Sequence, residues 1–414
     1  MSRNRQKKSN RKASRGLKIA GKLMAIVYLV ALFIFEFSLM VIDILPLRYL
    51  LIGIAVLTLI SIVIFLQLFL SKVKRRPKKV ALGLSIVLTV CYIGLSSVLG
   101  AGFDMLSHMS SSNNTGRSDI MDKPFTILVS GLDNKDDEIT DGRSDVNMLV
   151  TVNPKTEKIL MVSIPRDYYV YVPEFQSRDK LTHTGMYGID TTIDTVQYLF
   201  NDEIPIDYDI RVNFLTVVKM IDAIGGVDVD SEVEFDAKGR DYTEADLIRT
   251  WHFVKGENHL DGSSALAFAR ERYSFQEGDV QRAKNEQLVL QAIIRKMTSS
   301  KTLLTKYDDI LDVLGSNIKT SLSPSDMSGA VRFQLANMPK WDMESMELQN
   351  GGDGLETVYS VSGNVYVMYP DDQSIQEAKN AILDCRWAGY MNASARAATI
   401  ASRQLTSALT VGNA

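Results

Sequence analysis

Two aspartates and an arginine follow the apolar run Phe125–Val129 within a short stretch of the chain. Asp133 comes soon after that run, and Arg143 and Asp145 stand on the far side of the acidic loop 135–142. Two carboxylates can hold a hard divalent cation, and guanidinium groups grip phosphate oxygens in pairs. Together they predict a pyrophosphate site. The alternative is a turn capped by Asp133 and a surface pair between Arg143 and Asp145.

Further arginines stand where a phosphate site would need them. Arg166 follows a predicted strand, and Arg270 and Arg272 converge only if a predicted helix ends there and the chain becomes extended. Asp279 stands where the N-cap of the next helix is expected. Arg282 lies in the first turn of that helix, where unpaired amides favour an anion. Scattered surface salt bridges are the alternative.

Other catalytic chemistries find less support in the sequence. His183 could act as a general base, although a hydrogen-bonded loop histidine is the more common case. The other histidines lack metal-ligand spacing, and there is no Gly-x-Ser-x-Gly elbow, P-loop or Cys/His cluster. A covalent serine or cysteine mechanism is therefore not expected. The two cysteines, Cys91 and Cys385, cannot form a disulfide framework.

The first hundred residues predict a membrane anchor. Three apolar runs, 19–42, 47–70 and 80–103, are each long enough to cross about 30 Å of hydrocarbon as a helix. Residues 1–22 carry nine basic residues and no acid, and the segment 71–79 carries six basic residues. The positive-inside rule places both segments in the cytoplasm and everything after the third span outside. A cleaved signal peptide is the alternative for one run, but three runs argue against it.

Charge is divided unevenly along the chain. Residues 1–79 hold 16 basic and 2 acidic residues, while the whole chain has a net charge of −3, so the remainder is near −17. An acidic outer region is a poor general binder of polyanions, and nucleic acid is not an expected partner. A phosphate site there must depend on clustered arginines and a metal ion.

Five segments are predicted along the chain: a basic cytoplasmic N-terminus (1–18), three spans (19–104) with a cytoplasmic loop at 71–79, a Ser/Asn-rich tether (105–123), one domain (124–389) and a flexible tail (390–414). Strands are predicted at 126–130, 147–153, 158–164, 227–229 and 358–369. Helices are predicted at 191–200, 214–224, 263–269, 280–297, 303–314, 324–337 and 373–383. Strands alternating with helices favour one α/β domain whose sheet is covered by helices on its faces.

With these segments in view, the chain resembles the LytR-CpsA-Psr family of bacterial cell-wall proteins. The matching segments are Ile127–Asp133, Arg143–Asp145, Ser163–Asp167, Lys180–Gly188, Ile224–Asp228, Leu260–Gly262, Ala265–Arg272 and Gly278–Arg282. They follow the family's order and spacing over roughly residues 125–300, and three-span anchors occur among its CpsA-like members. The resemblance implies a three-layer α/β/α domain with a central mixed sheet, on the outside of a Gram-positive cell membrane.

The family also implies an activity. Its members bind a polyprenyl pyrophosphate and transfer the attached glycopolymer, teichoic acid or capsular polysaccharide, to a sugar hydroxyl of peptidoglycan. By motif position, Asp133 and Asp145 would hold Mg²⁺ or Mn²⁺ and form the catalytic set with Arg143. The residues that would bind pyrophosphate are Arg143, Arg166, Arg270, Arg272 and Arg282.

One segment departs from the family pattern. The family often has Arg-Gln or Asn-Gln one turn after the last arginine, whereas Glu286 here places an acid where an amide would contact phosphate. Lys180, Asp279, Glu286 and Gln287 are therefore further candidates for the site. Two other functions stay open: a pyrophosphatase that uses water as acceptor, and a non-catalytic lipid-binding regulator of envelope synthesis.

Overall fold

Three long apolar helices make up most of the first of two compact units, which comprises residues 1–104 with 331–337. The computed structural model describes residues 2–70, 75–111, 118, 120–132, 139–242, 247–276, 278–299, 313 and 318–391. The helices are α1 (Ser2–Ile42), α2 (Leu47–Phe69) and α3 (Arg75–Met109). Each contains an apolar segment long enough to cross a membrane, Lys18–Ile42, Leu47–Phe69 and Pro77–Met109. The prediction of three such helices is confirmed.

Helix α3 is longer than predicted at both ends. It begins at Arg75, inside the segment predicted as a loop, and ends at Met109, inside the predicted tether. The end is helical because Leu106 and Met109 are buried against Ile318 and Met327, so apolar packing continues past the hydrophobic run. Residues 105–109, predicted as part of the tether, therefore belong to α3.

Polar side chains pair between helices inside the first unit. Thr58 of α2 donates a hydrogen bond to Glu36 Oε1 of α1 at 3.0 Å, and the hydroxyls of Tyr28 and Ser61 lie 2.8 Å apart. Tyr92 of α3 stacks on Tyr28 with ring centroids 5.9 Å apart. An acid within an apolar helix needs such a partner, and this contact gives Glu36 a structural role between neighbouring helices.

A six-stranded mixed sheet is the centre of the second unit, which comprises residues 105–330 with 338–414. The strands are β1 (Phe125–Leu132), β2 (Ser144–Asn153), β3 (Lys158–Ile164), β4 (Tyr169–Val172), β5 (Ser177–Lys180), β6 (Tyr208–Asn213), β7 (Val227–Ser231), β8 (Phe235–Asp241), β9 (Leu247–Phe253), β10 (Gly256–Leu260), β11 (Ile318–Thr320), β12 (Asp342–Glu347), β13 (Asn350–Thr357) and β14 (Asn364–Pro370). The sheet order is β11-β6-β1-β2-β3-β12, with β1 antiparallel to β2 and parallel to β6. The predicted mixed sheet is confirmed.

Seven helices follow α3 in the described residues: α4 (Leu181–Thr184), α5 (Ile189–Leu199), α6 (Phe214–Ala223), α7 (Gly262–Arg270), α8 (Gly278–Met297), α9 (Pro324–Asn337) and α10 (Asp372–Trp387). Helices cover both faces of the sheet. On one face Leu149 packs with Val196 of α5 and Ile382 of α10, and on the other Met148 packs with Leu290 of α8. Neighbouring strand residues thus enter opposite cores, as period-two geometry requires, and the α/β/α layering is confirmed.

Two predicted elements differ from the structure. The strand predicted over 358–369 is wrong in its first half, because residues 358–363 form the turn between β13 and β14. Gly363 has a φ of 88°, which a turn accommodates and a strand does not. The helix predicted at 303–314 lies outside the described residues except for Val313, and so does most of the predicted tail.

Helices α6 and α7 lie unusually close together because α7 begins with a glycine. The Gly262 amide donates a hydrogen bond to Asp222 Oδ1 at 2.8 Å, and a Cβ at Gly262 would overlap the carbonyl oxygen of Val218. The first turn of α7 thus lies beside the middle of α6, and the last residue, Arg270, lies against Phe214 at the start of α6. The two helices run antiparallel.

Replacing Gly262 by alanine should therefore destabilise the fold. The new methyl group meets the backbone of Val218, which cannot move aside without separating α6 from α7. We expect a loss of about 1–3 kcal/mol in the free energy of unfolding, seen as a lower melting temperature of the full chain. Gly142→Ala is the control, since the nearest atom to a Cβ there is 4.0 Å away. Equal melting temperatures for the two variants would contradict this packing.

Candidate functional site

Asp145 occupies a β-bulge where β1 ends and β2 begins. Gly131 pairs with Val146 and Leu132 pairs with Ser144, so Asp145 is the extra residue between two successive pairs. A bulge redirects the side chain of the extra residue and bends the strand. Gly131 permits the close approach of the strands, because a Cβ there would lie 3.0 Å from Val146 Cβ. The Asp145 carboxylate consequently lines a cleft at this end of the sheet.

Arg166 meets Asp145 across the sheet edge. Its Nη1 lies 3.1 Å from Asp145 Oδ1, and its Nε lies 3.5 Å from Asp167 Oδ2. Lys180 Nζ in turn pairs with Asp167 Oδ1 at 2.9 Å. Arg166 thus forms salt bridges, which were the alternative to a phosphate site, yet it also lines the cleft. Lys180 therefore forms a salt bridge with Asp167 and does not itself line the cleft.

The chain becomes extended immediately after α7, which is the condition for the side chains of Arg270 and Arg272 to converge. Arg270 is the last residue of that helix, and Glu271 has an extended conformation with φ −68° and ψ 132°. Glu271 Oε1 accepts hydrogen bonds from the amides of Tyr273 at 2.6 Å and Ser274 at 2.9 Å, which fixes the turn. Arg270 and Arg272 consequently line the same cleft.

Helix α8 contributes Arg282 and Glu286, one turn apart. Arg282 Nε lies 3.6 Å from Glu286 Oε1, and both side chains are mostly buried, at 15% and 16% exposed. The helix begins at Gly278, so Asp279 lies within its first turn and the predicted N-cap position is wrong by one or two residues. Gln287 is buried and donates to Ser163 Oγ at 2.9 Å and to the Met346 carbonyl at 2.8 Å. Its amide therefore fastens α8 to the sheet.

A cleft of about 200 Å³ brings the charged residues of four chain segments together. The side chains that line it are Asp145, Arg166, Phe214, Arg270, Arg272, Tyr273, Arg282 and Glu286. Four guanidinium groups face two carboxylates, so the cleft favours an anion although the domain as a whole is acidic. A smaller cavity of about 50 Å³ shares Asp145, Arg166, Arg282 and Glu286 as one wall.

Some predicted site residues are not brought into this cleft. Arg143 is exposed on the segment before β2 and is not among the described residues that line it. Asp133 and residues 134–138, which include the first half of the acidic loop, lie outside the described residues. Within the described ranges no group of three or more His, Cys, Asp or Glu side chains could hold a metal ion.

His183 has a structural role. Its Nδ1 lies 2.7 Å from Asp179 Oδ1 and 2.7 Å from Ser360 Oγ, and the side chain is buried. Both partners share one ring nitrogen, whereas a catalytic triad needs the two nitrogens to contact different partners. A buried, hydrogen-bonded histidine is therefore the better interpretation, although it lies in helix α4 and not in a loop.

Aromatic side chains in the cleft were not predicted as site residues. The Arg270 guanidinium lies over the ring of Phe214 at 4.4 Å, and that of Arg272 lies over Tyr273 at 4.7 Å. The sequence predicts Phe214 as the first residue of an apolar helix, 214–224, which could line an apolar groove, but a phenylalanine at a helix start carries no signal for contact with an arginine. Its contact depends on the antiparallel packing of α6 and α7.

The Glu286 carboxyl is the titratable group most affected by the cleft. Burial raises the pKa of Glu286 to about 7; the neighbouring Arg282 opposes that shift and Asp145 adds to it. The carboxyl thus keeps its proton to a higher pH than an ordinary glutamate does, and its negative charge is added to the cleft as the pH rises.

Comparison with known proteins gives a consistent result. The model of the LytR_cpsA_psr family matches residues 95–382. TagU of Bacillus anthracis, named as a polyisoprenyl-teichoic acid–peptidoglycan teichoic acid transferase, is 32% identical over 293 residues, which cover 70% of this chain and 88% of TagU. The crystal structure of B. subtilis TagV has a TM-score of 0.51 and 29% identity, covering 64% of this chain and 97% of that one. An Enterococcus faecalis structure named as a transcriptional regulator has a TM-score of 0.50 and 27% identity, covering 70% and 97%.

Because deprotonated Glu286 opposes an anion, binding should depend on pH. As the pH rises from 6 to 8, the wild-type affinity for inorganic pyrophosphate should fall relative to that of Glu286→Gln, which stays neutral. We expect the ratio of the two dissociation constants to change about five-fold, the effect of one nearby charge in a solvated cleft. Calorimetry at several pH values measures this ratio.

The matched control is Glu257→Gln, which removes an exposed carboxylate of β10 that is not among the described residues lining the cleft. It should follow the wild-type curve. A ratio between wild type and Glu286→Gln that stays constant from pH 6 to 8 would show that Glu286 does not titrate in the cleft.

Proposed function

The chain belongs to the LytR_cpsA_psr family, and from that premise we propose that it is a membrane-anchored transferase. It moves a glycopolymer from a polyprenyl diphosphate carrier to a sugar hydroxyl of peptidoglycan. The observation that carries the proposal is the convergence of Arg166, Arg270, Arg272 and Arg282 with Asp145 in one cleft. The name of the relative TagU, a polyisoprenyl-teichoic acid–peptidoglycan teichoic acid transferase, supports the same substrates.

The four arginines suit a diphosphate better than a single phosphate. They come from three separate parts of the fold: the end of β3, the end of α7 and the first turns of α8. Planar guanidinium groups that approach from different sides can each bind two oxygens, and a diphosphate has enough oxygens for several such pairs. The cleft is thus suited to the headgroup of the carrier.

The proposed reaction needs positioning and charge neutralisation rather than a protein nucleophile. The acceptor hydroxyl oxygen bonds to the phosphorus next to the glycopolymer, the bond from that phosphorus to the bridging oxygen breaks, and polyprenyl phosphate leaves. The arginines neutralise charge on the leaving phosphate. The hydroxyl proton passes to a carboxylate, for which Asp145 and Asp133 are the candidates.

The donor set of the cleft fits Mg²⁺ or Mn²⁺ in combination with the substrate. Magnesium is usually bound by one or two carboxylates together with substrate phosphates, and Asp145 supplies one such carboxylate. Asp133 is proposed as the second. When bound, the cation would neutralise negative charge on the diphosphate. Asp145 would meanwhile keep its position through the ion pair with Arg166.

The same geometry allows two other activities that one assay separates. Purified full chain in detergent is incubated with a polyprenyl-diphosphate-linked sugar, Mg²⁺ and peptidoglycan oligomers. A joined product supports the transferase, and release of sugar phosphate without joining indicates a pyrophosphatase. Binding without turnover indicates a lipid-binding regulator. The positive-inside rule supports a cytoplasmic N-terminus and an outer cleft, where the acceptor is found.

Asp145→Asn should reduce glycopolymer transfer on the order of 100-fold while the melting temperature stays within a few degrees of wild type. The change keeps the size of the side chain and removes the negative charge that would hold the cation beside the diphosphate and that pairs with Arg166. Asp230→Asn, on the exposed side of β7, is the control and should keep full activity. Undiminished transfer by Asp145→Asn at wild-type protein abundance would remove Asp145 from the mechanism.

A further inference from the structure

One arginine of the cleft, Arg270, contacts an aromatic ring but, among the described residues, has neither an ion pair nor a hydrogen bond. The guanidinium carbon of Arg270 lies 4.4 Å from the ring centroid of Phe214, and both side chains line the cleft. We propose that Phe214 is a positioning residue for Arg270: its ring covers one face of the guanidinium and directs the N–H edge toward the diphosphate. The inference rests on the proposed function and adds to it a residue that acts through an arginine.

The other cleft arginines all have polar partners. Arg166 pairs with Asp145, Arg282 pairs with Glu286, and Arg272 donates a hydrogen bond to the Tyr273 hydroxyl at 2.7 Å. For Arg270, the described part of the chain provides no ion pair and no hydrogen bond. Since its side chain is exposed, the ring of Phe214 is the contact that can fix its direction.

An aromatic ring can position the Arg270 guanidinium without occupying its N–H donors. A guanidinium carries its five N–H donors in one plane, and its two faces have no donors. Stacking one face on an aromatic ring therefore stabilises the cation without occupying a donor, whereas a carboxylate partner would occupy two. Arg270 can thus be positioned and still offer all its N–H groups to phosphate oxygens.

The fold places Phe214 at this point for two independent reasons. Strand β6 lies parallel to β1 with Asn213 opposite Leu132, so Phe214 follows at the same sheet end as the bulge of Asp145. The side chain of Asn213 accepts a hydrogen bond from the Thr216 amide at 2.7 Å and starts α6 at Phe214. The close packing at Gly262 then brings the end of α7 over the ring.

The test is a double-mutant cycle on the full chain, with inorganic pyrophosphate as the probe. Phe214→Leu keeps an apolar side chain of similar size without the ring, and Phe214→Tyr keeps the ring. We expect Phe214→Leu to weaken pyrophosphate binding about three-fold to five-fold, the usual effect of losing an exposed cation–π contact. Phe214→Tyr, which keeps an aromatic ring, should bind pyrophosphate like the wild type. In an Arg270→Gln background, Phe214→Leu should have no further effect. Melting temperatures of all variants are measured in parallel.

Several results would overturn the inference. One such result is that Phe214→Leu binds pyrophosphate as tightly as the wild type. Another is that Phe214→Leu lowers the affinity for pyrophosphate by the same factor whether residue 270 is arginine or glutamine. A third is that Phe214→Tyr binds pyrophosphate as weakly as Phe214→Leu does. If Phe214→Leu does not fold, Phe214→Met replaces it. Tyr359→Leu, which removes an exposed ring that is not among the described lining residues, is the control and should bind like wild type. A wild-type chain that binds no pyrophosphate would overturn the proposed function as well, whereas the other results overturn the role of Phe214 alone.

Discussion

The ion pair between Asp145 and Arg166 depends on the register of three strands, and the rest of the cleft is built around it. Strand β2 pairs with β3 so that Asn147 lies opposite Ile164, and two residues beyond that pair Asp145 faces Arg166. The Asp145 side chain is 15% exposed and the Arg166 side chain is 25% exposed. Such an ion pair contributes little to the stability of the fold, because the cost of removing the two charges from water offsets their attraction. Its importance is positional, because it keeps one acid beside a set of arginines that would otherwise repel one another.

The apolar sheet explains why the charges gather where they do. Strands β1, β2 and β3 are buried on both faces, so charged groups can be accommodated only beyond the strand ends. The arginines of α7 and α8 reach the same end because both helices pack on one core, which includes Ala269 and Val289. Burial in turn raises the pKa of Glu286, so the packing that assembles the cleft also sets the charge within it.

Patterns of residue type predicted the elements more reliably than the contacts between them. Strand β3 and helix α9 have the predicted bounds, because an apolar run between turn signals and a helix that starts at a proline are local features. The convergence of Asp145 with Arg166, Arg270, Arg272 and Arg282 also agrees with the family resemblance.

The remaining features depend on tertiary structure. The bulge at Asp145 is a mismatch between two strands, the contact of Phe214 with Arg270 depends on how two helices pack, and Gln287 finds its partners on distant strands. None of these leaves a periodic signal. The turn at 358–363 was predicted as strand because Val358, Tyr359 and Val361 are β-branched or aromatic residues, which strands favour.

The central claim is that the cleft holds a diphosphate-linked lipid. Mass spectrometry of lipids that remain bound to the full chain after gentle purification tests this most directly. Wild-type protein should carry a polyprenyl diphosphate, with or without sugars, and a variant with glutamine at Arg166, Arg270 and Arg282 should carry none. Recovery of the same lipid in equal amount from both proteins, or of no phosphorylated polyprenyl lipid from either, would contradict the account.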